Sequence, residues 1–204
     1  MTDEEFAEIL ALGHERRNTE FKGPGQRSAQ PLFAKVVRAI LGMANQQDGG
    51  VVVIGVTDVG GVLDPVGLDE ADLGTWRYDD VAAAVASFAD PFVSFDLEIK
   101  EHETRRFIVL HVREFESLPV LCRRDYQDVL RSGGCYVRTR RKPETSEIPS
   151  QNEMRDLIDL AVRKGLRAFV TQAVASGLIS FARLSQAPSD AEQYSRELGD
   201  LRRG

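Results

Sequence analysis

The residues with the clearest chemical potential stand close together near the N-terminus, in Glu15-Arg16-Arg17-Asn18-Thr19-Glu20-Phe21-Lys22. The stretch Asn18 to Lys22 reads as a short strand stopped by Gly23-Pro24-Gly25. Glu20 and Lys22 are two apart on it and therefore share a face. A carboxylate beside an ammonium, near a further acid, can hold a hard divalent cation, magnesium or manganese, and neutralise charge developing on a phosphate. The same pair is also common on the surface of an edge strand, where it contributes little. Glu15 joins that face only if the chain bends around Arg17-Asn18, a bend that spacing alone does not show. Asp58 follows the apolar run Val51–Val56 and precedes Gly60-Gly61. A carboxylate there can line a site, and aspartate is equally a favoured turn former.

A second set of residues could meet a polyanion. The chain of 204 residues carries a formal net charge of -6, which argues against generic polyanion binding. Between Arg105 and Lys142, however, ten Arg/Lys stand against four Asp/Glu, a local excess of +6 that leaves -12 for the remainder. Arg131, Arg138, Arg140, Arg141 and Lys142, with Tyr136 among them, form the centre of this strip. Guanidinium groups suit phosphates, and a tyrosine can stack on an unpaired base. The alternative is a set of solvated charges around a tyrosine that faces the core.

Other candidates are weaker. Asn45 with Gly49-Gly50 could let backbone approach a phosphate, but no Gly-Lys-Ser/Thr ending follows and the strand comes after the glycines, unlike a P-loop. Helix termination and a tight turn explain them without a ligand. His14, His102 and His111 are scattered, and Cys122 and Cys135 are too isolated for a structural zinc site and suit a reducing compartment.

These residues need a scaffold, and the patterning supplies one. Thr2 and Glu5 form a capping-box signature ahead of a first helix. Leu32, Phe33, Val36, Val37, Ile40, Leu41 and Ala44 predict an amphipathic helix over Gln30–Gln46. Val51–Val56 predicts a central strand buried on both faces. Asp58 to Gly61 turns the chain into another strand, and Tyr78–Ala89 reads as a helix. Phe92–Lys100 and Phe107–Val112 pair as a hairpin, followed by short strands at Pro119–Cys122 and Gly134–Arg138. A helix is expected over Glu147–Gly165, then more helix through Val174, then a polar, flexible tail beyond Ser185. The hairpin-short connections predict an α+β fold with a mixed, largely antiparallel sheet flanked by helices. One domain is expected over residues 1–165, with a helical extension and tail over 166–204. No apolar run approaches the roughly 20 residues of a membrane helix, and the acidic N-terminus lacks the basic start of a signal peptide. A cytoplasmic protein without a membrane partner is the expectation.

Taken together, the segments resemble the Schlafen AlbA-like family. The resemblance rests on Glu15…Glu20-Phe21-Lys22, on the run Ala44-Asn45-Gln46-Gln47-Asp48-Gly49-Gly50 continuing through Val51–Val56 to Asp58, and on Tyr136-Val137-Arg138. It implies a nucleic-acid-handling protein, with RNA favoured over DNA. For nucleolytic members it implies an endoribonuclease acting on structured RNA such as tRNA, as a toxin or defence effector. Glu15, Glu20 and Asp58 would then hold Mg2+ or Mn2+, and Lys22 would assist at the phosphate. Nuclease members pair two lobes around RNA, so a homodimer or a partner chain is expected to supply the second. Other members are described only as DNA- or RNA-binding regulators or ATP-binding proteins, and possession of the fold does not establish cleavage.

Overall fold

In a computed structural model, which describes residues 1–140 and 143–178, Thr2 caps helix α1 (Asp3–Ala11) reciprocally. Its hydroxyl accepts the Glu5 N–H at 3.1 Å and the Glu5 carboxylate accepts the Thr2 N–H at 2.7 Å. Strand β1 (Thr19–Lys22) follows, then α2 (Gln30–Ala44), whose predicted apolar stripe is buried nearly throughout. Strand β2 (Gly50–Ile54) is the β-branched run, and β3 (Thr57–Val59) and β4 (Val62–Asp64) form a small exposed hairpin. A single turn, α3 (Glu70–Leu73), precedes α4 (Tyr78–Ala86) and the short β5 (Ala89–Asp90). The long hairpin is β6 (Phe95–His102) with β7 (Arg105–Val112). Strands β8 (Leu121–Cys122), β9 (Tyr136–Arg138) and β10 (Thr145–Glu147) complete the β structure ahead of α5 (Gln151–Ala175).

The main sheet has the order β1-β2-β7-β6, parallel between β1 and β2 and antiparallel elsewhere. The fold is α+β with a mixed, largely antiparallel sheet. Strand β2 is central, and its alternating side chains feed two cores. Val52 and Ile54 join the larger core with α2, Ile108 and Leu110. Val53 joins Phe6 of α1, Phe21, Phe107 and Val109 on the opposite face. The chain divides into Met1–Val162 and Arg163–Gly204. In the first unit, Leu157 and Leu160 of α5 belong to the larger core. The described part of the second unit is the remainder of α5 and the residues up to 178, with Leu166 and Phe169 exposed. No helix among the described residues is long and apolar enough to cross a membrane.

Two local differences from the patterning have physical causes. Glu147 does not open a helix. Residues 145–147 pair with β9, and Ile148 extends the ladder by donating to Cys135 O at 2.9 Å. Pro149 disfavours helical backbone at the residue before it, so α5 starts only after Ser150. Beyond Gly165 no second helix begins, because α5 runs through to Ala175 without interruption. The predicted tail beyond Ser185 lies outside the described residues.

Asn45, at the end of α2, ties the small β elements to the main core. Its side-chain amide donates to Val120 O at 2.8 Å and Tyr136 O at 2.9 Å, and its oxygen accepts the Val120 N–H at 2.7 Å. Gly49 and Gly50 are equally structural: a Cβ at Gly49 would collide with Val112 O, and one at Gly50 with the Met43 sulfur. The three residues that offered a phosphate contact are therefore occupied in packing. Asn45→Asp keeps the shape and the bond to Val120 N–H but removes both donors. It should lower unfolding free energy in urea by about 2–4 kcal/mol, and a loss under about 1 kcal/mol would contradict the latch.

Candidate functional site

The site is built around β1, and its geometry turns on Arg138. The side chain of Arg138 is 0% exposed. Nε donates to Arg17 O at 3.0 Å, and one terminal nitrogen donates to Arg16 O at 2.7 Å and Thr19 O at 3.0 Å. The other donates to Glu20 Oε2 at 2.6 Å. Strand β9 can deliver this side chain because β10 packs against α2 at Gly42, where a Cβ would lie 2.5 Å from Thr145 Cγ2. The closeness also brings the Thr145 hydroxyl to Glu20 Oε2, to which it donates at 2.6 Å. Lys22 Nζ pairs with Glu20 Oε1, as their shared strand face predicts, and donates to Phe21 O at 3.1 Å.

Glu15 does reach this centre. The bend that spacing could not show is a tight one, closed by Thr19 N–H donating to Arg16 O at 3.1 Å. Across it, Glu15 Oε1 accepts the Phe21 N–H at 3.0 Å, and Oε2 lies 3.7 Å from Arg138. Two carboxylates therefore meet two cations, a balanced set at low exposure.

Burial and charge push the two acids in opposite directions. Burial raises the Glu20 carboxyl, but Lys22 and Arg138 outweigh it and hold the group below its ordinary 4.5. Burial raises Glu15 above 4.5, with Glu20 adding to the rise and the Phe21 N–H opposing it. Asp58 sits on the exposed β3–β4 hairpin, and its Oδ1 accepts the Gly61 N–H at 2.8 Å, closing the turn.

These positions test the metal expectation directly. Among the described residues no three His, Cys, Asp or Glu side chains are grouped so as to hold a metal ion. Both Glu20 oxygens already accept from Lys22, Arg138 and Thr145. The arrangement of Glu15, Glu20 and Asp58 does not fit Mg2+ or Mn2+, because two acids are neutralised internally and the third belongs to a turn.

The basic strip is also redistributed. Arg138 is core, and Tyr136 is buried with its hydroxyl accepting the Arg131 N–H at 2.8 Å. Arg138 has no exposed atom to offer a phosphate, and the Tyr136 ring borders only the groove beside β10. Arg131 pairs with Glu147 and Arg140 with Asp156 at 2.7 Å, both at exposed positions. Arg141 and Lys142 lie outside the described residues. Arg16 and Arg17, not selected as binding residues from the sequence, are exposed on the bend whose carbonyls Arg138 holds. Their adjacency to Glu15 was visible, but their proximity to β9 depends on Arg138. The thiols are inert candidates: burial raises both, Cys135 to about 11.

Residues 15–146, well over half the chain, match the profile of the family described as Schlafen, AlbA_2. The chain belongs to this family. Membership points to a nucleic-acid-related role for this AlbA_2 domain. Among solved structures, the chain resembles the DIP2311 protein from Corynebacterium diphtheriae, with a TM-score of 0.51 and 16% identity over 75% of this chain. It spans 27% of that protein's chain, and the likeness concerns the fold. The N-terminal domain of a RecG-related protein from Nitrosomonas europaea is similar at 20% identity, covering 62% of this chain and 84% of that one, with a TM-score of 0.47. No curated protein matches the sequence.

Removing one partner of the buried pair should cost far more than removing both. Arg138→Met alone should destabilise by about 3–5 kcal/mol, and Glu20→Leu/Arg138→Met by clearly less than the two single changes summed, in a urea double-mutant cycle. Additive losses would deny the coupling. The acid limb supplies a second readout. Glu20, lowered in the folded state, contributes stability above pH 4.5 that is lost as pH falls through its folded value. Glu15, raised, has the opposite sign: its contribution is present below 4.5 and lost as pH rises through its folded value. The stability gap between wild type and Glu20→Gln should therefore narrow as pH falls below 4.5.

Proposed function

We propose that this domain is a nucleic-acid-binding module that works without metal-assisted cleavage, and that exposed Arg16, Arg17 and Arg140 contact the phosphate backbone. The observation that carries the reading is the closure of Glu20 by Arg138, Lys22 and Thr145. The same buried arginine that occupies the acid holds the Arg16-Arg17 bend beside β9, whose next exposed residue is Arg140. On a chain of net charge -6, three guanidinium groups acting together there would supply a local phosphate-binding surface where the whole protein would repel one. The Arg140–Asp156 pair is no obstacle, since an exposed ion pair contributes about 0.2–1 kcal/mol and exchanges readily for a phosphate.

A second reading, a divalent-metal-dependent endoribonuclease acting on tRNA, is favoured by one observation: Glu15, Glu20 and Lys22 do share one small centre. The two readings separate in one set of measurements. Purified protein should bind RNA and single-stranded DNA but leave tRNA intact with Mn2+ or Mg2+. Arg16→Ala/Arg17→Ala/Arg140→Ala should reduce the slope of log affinity against log salt by about 0.7–0.9 per lost contact. Asp58→Asn should change nothing. Metal-dependent tRNA cleavage abolished by Asp58→Asn would establish the nuclease instead, and an unchanged salt slope in the triple variant would remove the proposed surface.

A further inference from the structure

A groove of about 740 Å3 lies between α2, β10 and the loop that leads from β8 to β9. Its size is that of a small-molecule site. Arg38 stands one helical turn before Gly42, the position where β10 approaches α2, and Ser146 directly follows Thr145 at that approach. Arg38 Nε and Ser146 Oγ are both buried and both lack a hydrogen-bond partner. Two orphaned polar groups at one groove are unusual, because buried donors are nearly always satisfied.

The opposite character is present on the same groove. Asp128 and Glu144 line it, and among the described residues neither carboxylate is engaged by a hydrogen bond or ion pair. Asp125 is occupied by the Ser132 N–H at 3.0 Å, and Glu147 by Arg131. Leu130 and the ring of Tyr136, whose hydroxyl is held by the Arg131 N–H, also line the groove. Four carboxylates against two guanidiniums exclude a phosphate from the interior. What fits is a flat, neutral group that offers acceptors to Arg38 and Ser146 and adjacent N–H donors to a carboxylate.

We propose that this groove takes an unpaired guanine base. Guanine's O6 and N7 are the acceptors that arginine favours, and its N1–H and 2-amino group are adjacent donors that suit the open carboxylates. Adenine has no N–H at N1, while cytosine and uracil each lack the paired donors beside a carbonyl. Because Arg38 Nε is buried, the proposed contact requires the Arg38 side chain to turn toward the base. Unpaired bases read on their edges, with phosphates held elsewhere, are the usual mode of sequence-selective single-strand recognition. The inference deepens the nucleic-acid reading and adds a base preference to it.

The test uses the full chain and free guanosine, which needs none of the phosphate-binding arginines. Titration followed by NMR should give saturable shifts at Arg38 Nε–H and at the Ser146 and Tyr136 amides, with none from adenosine, cytidine or uridine. Inosine, lacking the 2-amino group, should bind at least about tenfold more weakly. Arg38→Met and Glu144→Gln should each abolish the response; Glu144 is exposed, so its variant remains decisive if Arg38→Met fails to fold. No saturable shift, equal binding of adenosine, or undiminished binding by Glu144→Gln would overturn the proposal. Guanosine binding that survives while Arg16→Ala/Arg17→Ala/Arg140→Ala leaves RNA affinity untouched would sink the phosphate surface and spare the base pocket. RNA binding with no response to guanosine would do the reverse.

Discussion

The buried guanidinium of Arg138 is the constraint on which the rest of this structure depends. Taking a charged arginine out of water costs several kcal/mol unless its donors and charge are matched. Here they are matched by three backbone carbonyls of one bend and by Glu20. The carbonyls of Arg16, Arg17 and Thr19 must therefore point inward, which sets the course of the chain into β1 and carries Glu15 back toward Phe21. Gly42 is part of the same constraint, because only a missing side chain lets Thr145 reach Glu20. Breaking the network would free β9, β10 and the 15–19 bend together.

The consequence for chemistry is that an acidic motif has become architecture. Glu20 and Lys22 sit on one strand face, as a metal or phosphate site would require, but the carboxylate is consumed from both sides. Electrostatics then sorts the surface. Arg16 and Arg17 are exposed on the bend and Arg140 just past β9, while the groove beside β10 is lined by more carboxylates than arginines. The first arrangement suits a sugar-phosphate chain and the second suits a base with its phosphates kept outside.

Much of the scaffold was legible because it rests on local rules. The Thr2–Glu5 cap, the stripe of α2, the doubly buried β2 and the β6–β7 hairpin all follow from spacing within about a dozen residues. The site was harder for a stated physical reason. Tyr136-Val137-Arg138 are all buried, so the alternation expected of a half-exposed strand is absent, and a charged residue with no visible partner reads as surface. Its partner, Glu20, is 118 residues away. Glu15 was brought to the centre by resemblance alone, because the bend at Arg16–Thr19 is satisfied by Arg138 and carries no local signature. Asp58 carried two readings, and its bond to Gly61 belongs to the turn.

Glu20 is held by Lys22 and Arg138, and Glu15 lies against Arg138, so the cations at this centre belong to the protein itself. Paramagnetic broadening by Mn2+ tests it most directly, since the ion's effect on amide signals maps where it resides. Low-micromolar Mn2+ should leave the amides of Glu15, Glu20, Phe21 and Thr145 no more broadened than the rest of the core. Selective broadening of Glu15, Glu20 and Asp58 together, lost in Glu20→Gln, would show instead that the three acids share a metal.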